Sequence, residues 1–269
     1  MYLAIDIGGT KTLLATFTKE GVLKHKVKFE TPQDYKALLN ELKTHTTKLP
    51  DHDFSAACVA VPGRIHRSSG VIVSCGNLGW KNEPIEADLE KILGCPVTAE
   101  NDANLAGLSE AILIKNDYKK VLYLTISTGI GSGIITNGII DPELADSEAG
   151  HIILDHDGKF RTWESFASGK AIVKRFGKRA SEITDETTWK IIAKDLAIGL
   201  LDLTAVIQPD IIIIGGGVGQ YFDRFEKALK TEMKRYEMPL MKIPPIVEAK
   251  HAEEAVVYGC YTFIKAKHG

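Results

Sequence analysis

Cysteine is scarce in this chain: four residues in 269, Cys58, Cys75, Cys95 and Cys260, with no CxxC pair among them. Such spacing encodes neither a disulfide framework nor a zinc site locally, so buried thiols are expected. Neither sign of charge is in excess. Lys plus Arg total 33 against 35 for Asp plus Glu, a net of −2, which supplies no field to hold a polyanion and argues against nucleic acid as a partner. No apolar run approaches the roughly 18 residues of a membrane span, and low-complexity stretches and Pro/Ser linkers are absent. The opening MYLAIDIGGTKT lacks a basic n-region and a small-residue cleavage site, so a cytoplasmic protein is expected.

What is present reads as α/β. At roughly 150 residues per domain the length suggests two domains or one large one. Residues 2–7, 12–18 and 22–29 read as strands of an antiparallel meander broken by Gly8, Gly9 and Gly21. Tyr35, Leu38, Leu39 and Leu42 recur at helical spacing, and 55–61 (SAACVAV) reads as a buried strand stopped by Pro62 and Gly63. A second αβ step follows: Ile85, Leu89, Ile92 and Leu93 share a helix face, Gly94 ends it, and 96–100 is the strand.

Residues 121–140 repeat the opening: a strand, a glycine bend at Thr128, Gly129, Gly131 and Gly133, a second strand, and a turn at Asn137-Gly138. Laying Asp6 over Thr125 matches Ile5 to Leu124 and Ile7 to Ile126 before the register fails, which suggests two similarly built halves. Later, Trp189, Ile192, Leu196, Leu200, Leu203 and Ile207 form a helical stripe, IIII (211–214) meets GGGVG, and an amphipathic helix runs to about Tyr236. The last helix is expected from about Ala252, with Val256, Cys260 and Phe263 on its docking face.

Several turns carry candidate chemistry. In DIGGTKT, Gly8 and Gly9 let backbone amides approach an anion, Thr10 adds a hydroxyl, Lys11 a charge, and Asp6 a ligand for a metal ion. A glycine pair alone is equally at home in an ordinary hairpin turn. The Thr128 and Gly215 clusters also follow strands, yet neither fits a dinucleotide fingerprint. Glu100-Asn101-Asp102 stands where a strand meets a helix; there it either presents ligand-binding groups or simply caps the helix. Glu148 with His151, and Glu164 at a helix start, are comparably ambiguous.

Taken together, DIGGTKT, VPGRI, GNLGW, ENDAN, STGIGSGI, EAGH, WESFASGKAI and IIIIGGGVG resemble, in order and spacing, the ROK family of sugar kinases and repressors. The resemblance spans nearly the whole chain. It implies a two-domain actin-like ATPase (ribonuclease H-like) fold, each domain a mixed sheet flanked by helices, with an interdomain cleft. The expected division is 1–114 with 253–269 as the smaller domain and 115–252 as the larger. It further implies an ATP- and Mg²⁺-dependent kinase acting on a hexose, most simply the 6-hydroxyl of glucose. An N-acetylmannosamine, N-acetylglucosamine or fructose kinase is the alternative, and a non-catalytic sugar-sensing module the rival of another class. A homodimer would be in keeping with the family.

By the same resemblance, Asp6, Gly8, Gly9, Thr10 and Lys11 form a first phosphate loop, with Asp6 toward Mg²⁺. Thr128, Gly129 and Gly131 form a second, and Gly215, Gly216 and Gly217 border the adenosine. Gly63, Asn77, Asn101, Asp102, Glu148, His151 and Glu164 bind the sugar, and Asp102 is the general base. One departure is large. The family's zinc-binding cysteine cluster is missing from HIILDHDGKFRTWE, which is also shortened. Zinc is therefore not expected; Trp163 and Phe166, with Phe160, are expected to supply an apolar anchor instead, and His156, Asp155 and Asp157 cannot all converge on one ion.

Overall fold

The computed structural model describes residues 1–251 and 254–269; the side chain of Asn77 is also outside the described residues. Ala252, the expected start of the last helix, and residue 253 fall outside as well. The chain divides into unit 1 (1–109 and 254–269) and unit 2 (110–253).

Unit 1 opens with β1 (Tyr2–Ile7), β2 (Lys11–Phe17), β3 (Leu23–Glu30), α1 (Tyr35–Thr47) and β4 (Ala56–Val61). Then come β5 (Arg64–His66), β6 (Val71–Ser74), α2 (Ile85–Leu93), β7 (Val97–Asn101) and α3 (Asp102–Leu113). Its main sheet runs β3-β2-β1-β4-β7. β1 is antiparallel to β2 and parallel to β4, and β4 is parallel to β7. Strands sandwiched on both faces are apolar throughout, which is why AACVAV in β4 shows no alternation and is entirely buried. β3 lies at the edge and alternates; Lys24, Lys26 and Lys28 face solvent and discourage pairing with another chain. Asp34 caps α1 by accepting from the Ala37 amide at 2.8 Å.

Unit 2 contains β8 (Lys120–Ile126), β9 (Ile130–Thr136), β10 (Ile139–Ile140), β11 (Ile153–His156), β12 (Lys159–Thr162), α4 (Glu164–Ala167) and α5 (Gly169–Phe176). α6 (Glu186–Ile207), β13 (Ile211–Gly215), α7 (Gly216–Gly219), α8 (Phe222–Lys234) and β14 (Ile246–Glu248) follow. The sheet order β10-β9-β8-β13-β14 repeats that of unit 1, with β8 in the place of β1. Asp6 is in register with Ala60, and Thr125 with Gly215, so these two residues occupy equivalent points. The sequence repeat fades because the second loop is one residue shorter: Ile7 pairs with Thr12, but Ile126 with Ile130. Its core packs α6 on α8, with Trp189 stacked against Phe225 at 5.6 Å.

The division between units falls inside α3 and not after it, because Glu110 belongs with unit 2: its buried carboxylate accepts the Lys250 and His251 amides at 2.9 and 2.7 Å. Among the described residues no helix is long and apolar enough to cross a membrane.

The final helix, α9 (Ala255–His268), returns to unit 1. Its buried face is Val257, Cys260 and Ile264, with Gly259, while the expected Val256 and Phe263 are only half-buried. An apolar residue at both 256 and 257 leaves the face undecided from periodicity; a close crossing decides it. A Cβ on Gly259 would lie 1.9 Å from the Leu105 carbonyl oxygen. Gly259→Ala would gain about 1 kcal/mol of helix propensity. The clash is with backbone, however, so the expected outcome is a net loss of about 1–3 kcal/mol, read as a lower urea midpoint.

Candidate active site

Parallel register brings the carboxyl ends of β1, β4 and β7 together: Asp6 pairs with Ala60, and Ala60 with Glu100. At the end of β1 the chain turns through Gly8, whose amide donates to the Lys11 carbonyl at 3.0 Å; a Cβ there would sit 2.8 Å from that oxygen. Thr31 secures the loop, its hydroxyl donating to the Gly8 carbonyl at 2.8 Å and its amide to that of Thr10 at 2.9 Å. The Thr10 and Lys11 side chains stay exposed. Asp6 is half-buried, and its carboxyl is raised to about 7, first by burial and then by the Asp102 charge, against a smaller opposing effect of Lys28.

At the β7–α3 junction the capping duty falls to Asn101. Its Oδ1 accepts from the Ala103 and Asn104 amides at 2.9 and 3.1 Å, and its Nδ2 donates to the Gly63 carbonyl at 3.2 Å. Asp102 is the first helical residue and accepts the Ala103 amide at 2.8 Å. Its charge also reaches Cys75, whose thiol is pushed up to about 12 by burial first and Asp102 second. Gly63, Asn101, Asp102 and Asp6 thus form one neighbourhood. Asn77 stands in the single turn Gly76–Leu78.

In unit 2 the loop after β8 is braced by α5: Gly169 donates to the Ser127 carbonyl at 2.7 Å. His151 lies between two carboxylates, Nδ1 at 3.8 Å from Glu148 and Nε2 at 3.7 Å from Glu164. Glu164 also accepts the Ile130 amide at 3.4 Å and occupies space that a side chain at Gly129 would fill. Glu148, His151 and Glu164 therefore gather beside the second glycine loop; Gly131, opposite Thr125, lies in the strand that follows.

A cavity of about 800 Å³ in unit 2 is lined by Thr128, Lys170, Lys174, Arg179, Gly217 and Tyr221, among others. Gly215 and Gly216 are not among its walls. They pack on β8, where Cβ atoms would meet the Tyr123 hydroxyl at 2.4 Å and Thr125 Oγ1 at 2.6 Å, the latter from a left-handed φ of 85°. Only Gly217 opens toward free space. The three cations were not singled out in the sequence, although GKAIVK sets Lys170 and Lys174 four apart at a helix start.

The shortened loop is a hairpin. β11 and β12 pair antiparallel through Asp157 and Gly158, both at positive φ, a turn that the Asp-Gly pair signals in sequence. His156 is buried, stacked on Phe166 at 4.0 Å, with Nε2 3.1 Å from Asp195; Arg175 donates to the other Asp195 oxygen at 2.6 Å. Trp163 is fully buried and donates to the Asp195 carbonyl at 3.1 Å. Phe160, expected in this anchor, is 82% exposed instead, because its pairing with Asp155 turns it to the outer face. The family's thiolate zinc site does not fit here: all four cysteines, each buried, belong to unit 1. Nor, among the described residues, do three or more His, Cys, Asp or Glu side chains form a metal-binding group.

Two mixed five-stranded sheets of one order, each with a glycine loop after its central strand, make up the actin-like ATPase fold. The chain belongs to the ROK family, whose model matches residues 2–267, and is a phosphotransferase with a hydroxyl acceptor. It is 31% identical to an N-acetyl-D-glucosamine kinase of Histophilus somni, over 96% of this chain and 97% of that one. It is 25% identical to a glucokinase of Streptomyces coelicolor over 87% of each. In structure it matches a ROK family glucokinase from Streptomyces griseus, in complex with glucose and AMPPNP, with a TM-score of 0.82 at 22% identity, covering 97% and 98% of the two chains.

Two outcomes follow. A zinc chelator should leave the melting temperature unchanged, whereas His156→Ala, which removes one of the two side-chain partners of the buried Asp195 and the ring stacked on Phe166, should lower stability by about 1–3 kcal/mol in urea denaturation. The second concerns Asp6, whose folded pKa lies above its unfolded value. Its contribution is fully present below about pH 4 and is lost as pH rises through about 7. Asp6→Asn, lacking that titration, should gain stability over the natural chain at pH 8 in metal-free buffer, a gain that shrinks toward pH 4.

Proposed function

We propose that this protein transfers the γ-phosphate of ATP to a hexose hydroxyl, most simply the 6-hydroxyl of glucose or a close relative, with Asp102 as general base. The observation that carries the reading is the division of labour at the β7–α3 junction. Asn101 does the capping and reaches the Gly63 carbonyl, and Asp102 stands one residue further on, within the electrostatic reach of Asp6.

Phosphoryl transfer asks chiefly for alignment and charge neutralisation. Asp102 accepts the proton of the attacking hydroxyl. Asn101 and Gly63 are suited to sugar hydroxyls, and so, by their own grouping, are Glu148, His151 and Glu164. His151, flanked by carboxylates, keeps its ring oriented for that purpose. The loops at Gly8, Gly9, Thr10 and Lys11 and at Thr128, Gly129 and Gly131 offer backbone amides and a lysine to the phosphates, while the cavity at Gly217 holds the nucleoside. Lys170, Lys174 and Arg179 on its walls oppose the donor's negative charge. A carboxyl held near neutrality by burial and a second acid suits a divalent cation, which favours its ionised form. Asp6 would hold Mg²⁺, which supplies charge neutralisation when bound with ATP.

An N-acetylhexosamine acceptor is the second reading, favoured by the name of the Histophilus somni relative. On this reading Arg64, exposed at the start of β5 next to Gly63, is the side chain to test against a 2-substituent. A coupled assay of ADP release with glucose, mannose, fructose, N-acetylglucosamine and N-acetylmannosamine separates the readings. ADP release that is independent of every sugar would defeat both. With the best of these sugars, Asp102→Asn should lower kcat by roughly 10²–10⁴ with a modest change in KM; near wild-type turnover would overturn the assignment of the base.

A further inference from the structure

We propose that Arg67 is a positioning residue for phosphoryl transfer, tying the β5–β6 hairpin to the strand end that carries Asp102. The inference rests on the reading of Asp102 as general base. Glu100, next to the junction, is a buried carboxylate with only 3% of its side chain exposed. It receives four donors: Arg67 Nε at 2.8 Å and Nη2 at 2.6 Å, the Asn101 amide at 2.8 Å and Asn104 Nδ2 at 3.0 Å. The forked pair with arginine fixes direction as well as distance, which a lysine cannot reproduce.

Two struts therefore join the segment 62–75 to the junction. One is Arg67 to Glu100; the other is Asn101 Nδ2 to the Gly63 carbonyl. The β4–β7 ladder holds the backbone up to Asn101, and the two struts add side-chain restraints where that ladder ends. Glu100 in turn grips the amide of Asn101, the residue immediately before Asp102. Without Arg67 the buried Glu100 keeps the Asn101 and Asn104 donors but loses its charge partner, which favours taking up a proton or drawing toward water. Either response loosens the peptide that aims Asp102, and a misplacement of about 1 Å can cost on the order of 10²-fold in rate.

The test uses the full-length chain with ATP and the best hexose of the panel above. Arg67→Met should lower kcat by about tenfold or more, with KM for ATP within about twofold, and Arg67→Lys should fall between. Arg67→Met combined with Glu100→Met should recover the urea midpoint, because an apolar pair can replace a buried ion pair, but should not recover kcat. In an Asp102→Asn background, Arg67→Met should change kcat by less than about twofold.

Wild-type kcat in Arg67→Met, recovery of kcat together with stability in the double variant, or equal losses in both backgrounds would each overturn the proposal. A readout independent of turnover is amide hydrogen exchange, which should quicken in 62–75 and 100–104 of Arg67→Met and nowhere else. Unchanged exchange there also overturns it. Near wild-type turnover of Asp102→Asn alone would instead refute the base assignment and leave the exchange result to judge the struts.

Discussion

A carboxylic acid that burial and a neighbouring acid together hold near neutrality sits at the end of the central strand of unit 1, and the surrounding layout keeps it there. Asp6 is flanked by β2 on one side and β4 on the other, so its backbone has little room to move. Its neighbour Asp102 is anchored by a helix whose cap is Asn101, and that cap reaches to Gly63. Relaxing the repulsion would require breaking one of these ties. The fold instead tolerates it, the usual sign that a site is organised for a cation or a proton and not for stability.

Unit 2 uses the same sheet order to a different end. Where unit 1 has Asp6, unit 2 has Thr125, and where unit 1 has Ala60, unit 2 has Gly215. A carboxylate is absent at that point, and the space goes to a glycine turn packed tightly on β8. One sheet order thus serves a half suited to hold charge and a half that carries a cavity flanked by cations. The one-residue difference in loop length is enough to hide the relationship from a simple sequence overlay.

Much of this was legible in sequence because its causes are local. Glycine loops, buried strands such as AACVAV and helix stripes such as Trp189 to Ile207 follow from backbone sterics and from the periods of strand and helix. The gathering of Glu148, His151 and Glu164 was legible only through the family resemblance. Contacts between residues distant in sequence were not legible at all: Arg67 finds Glu100 and His156 finds Asp195 across more than thirty residues each. The face of α9 escaped because apolar side chains surround it and a glycine crossing decides its rotation. Phe160 was misplaced because the Asp157-Gly158 turn, which alternates the hairpin's faces, went unread.

The hairpin that stands in the shortened loop changes what the stability of that region can respond to. A loop tied by a dissociable ion is subject to mass action: its order rises and falls with the free concentration of that ion. A loop tied by His156, Asp195, Arg175 and Trp163 has no such ligand to lose. Glu164 stands two residues beyond β12, so these side-chain ties act close to it. They are intramolecular, and their strength is set by the chain itself.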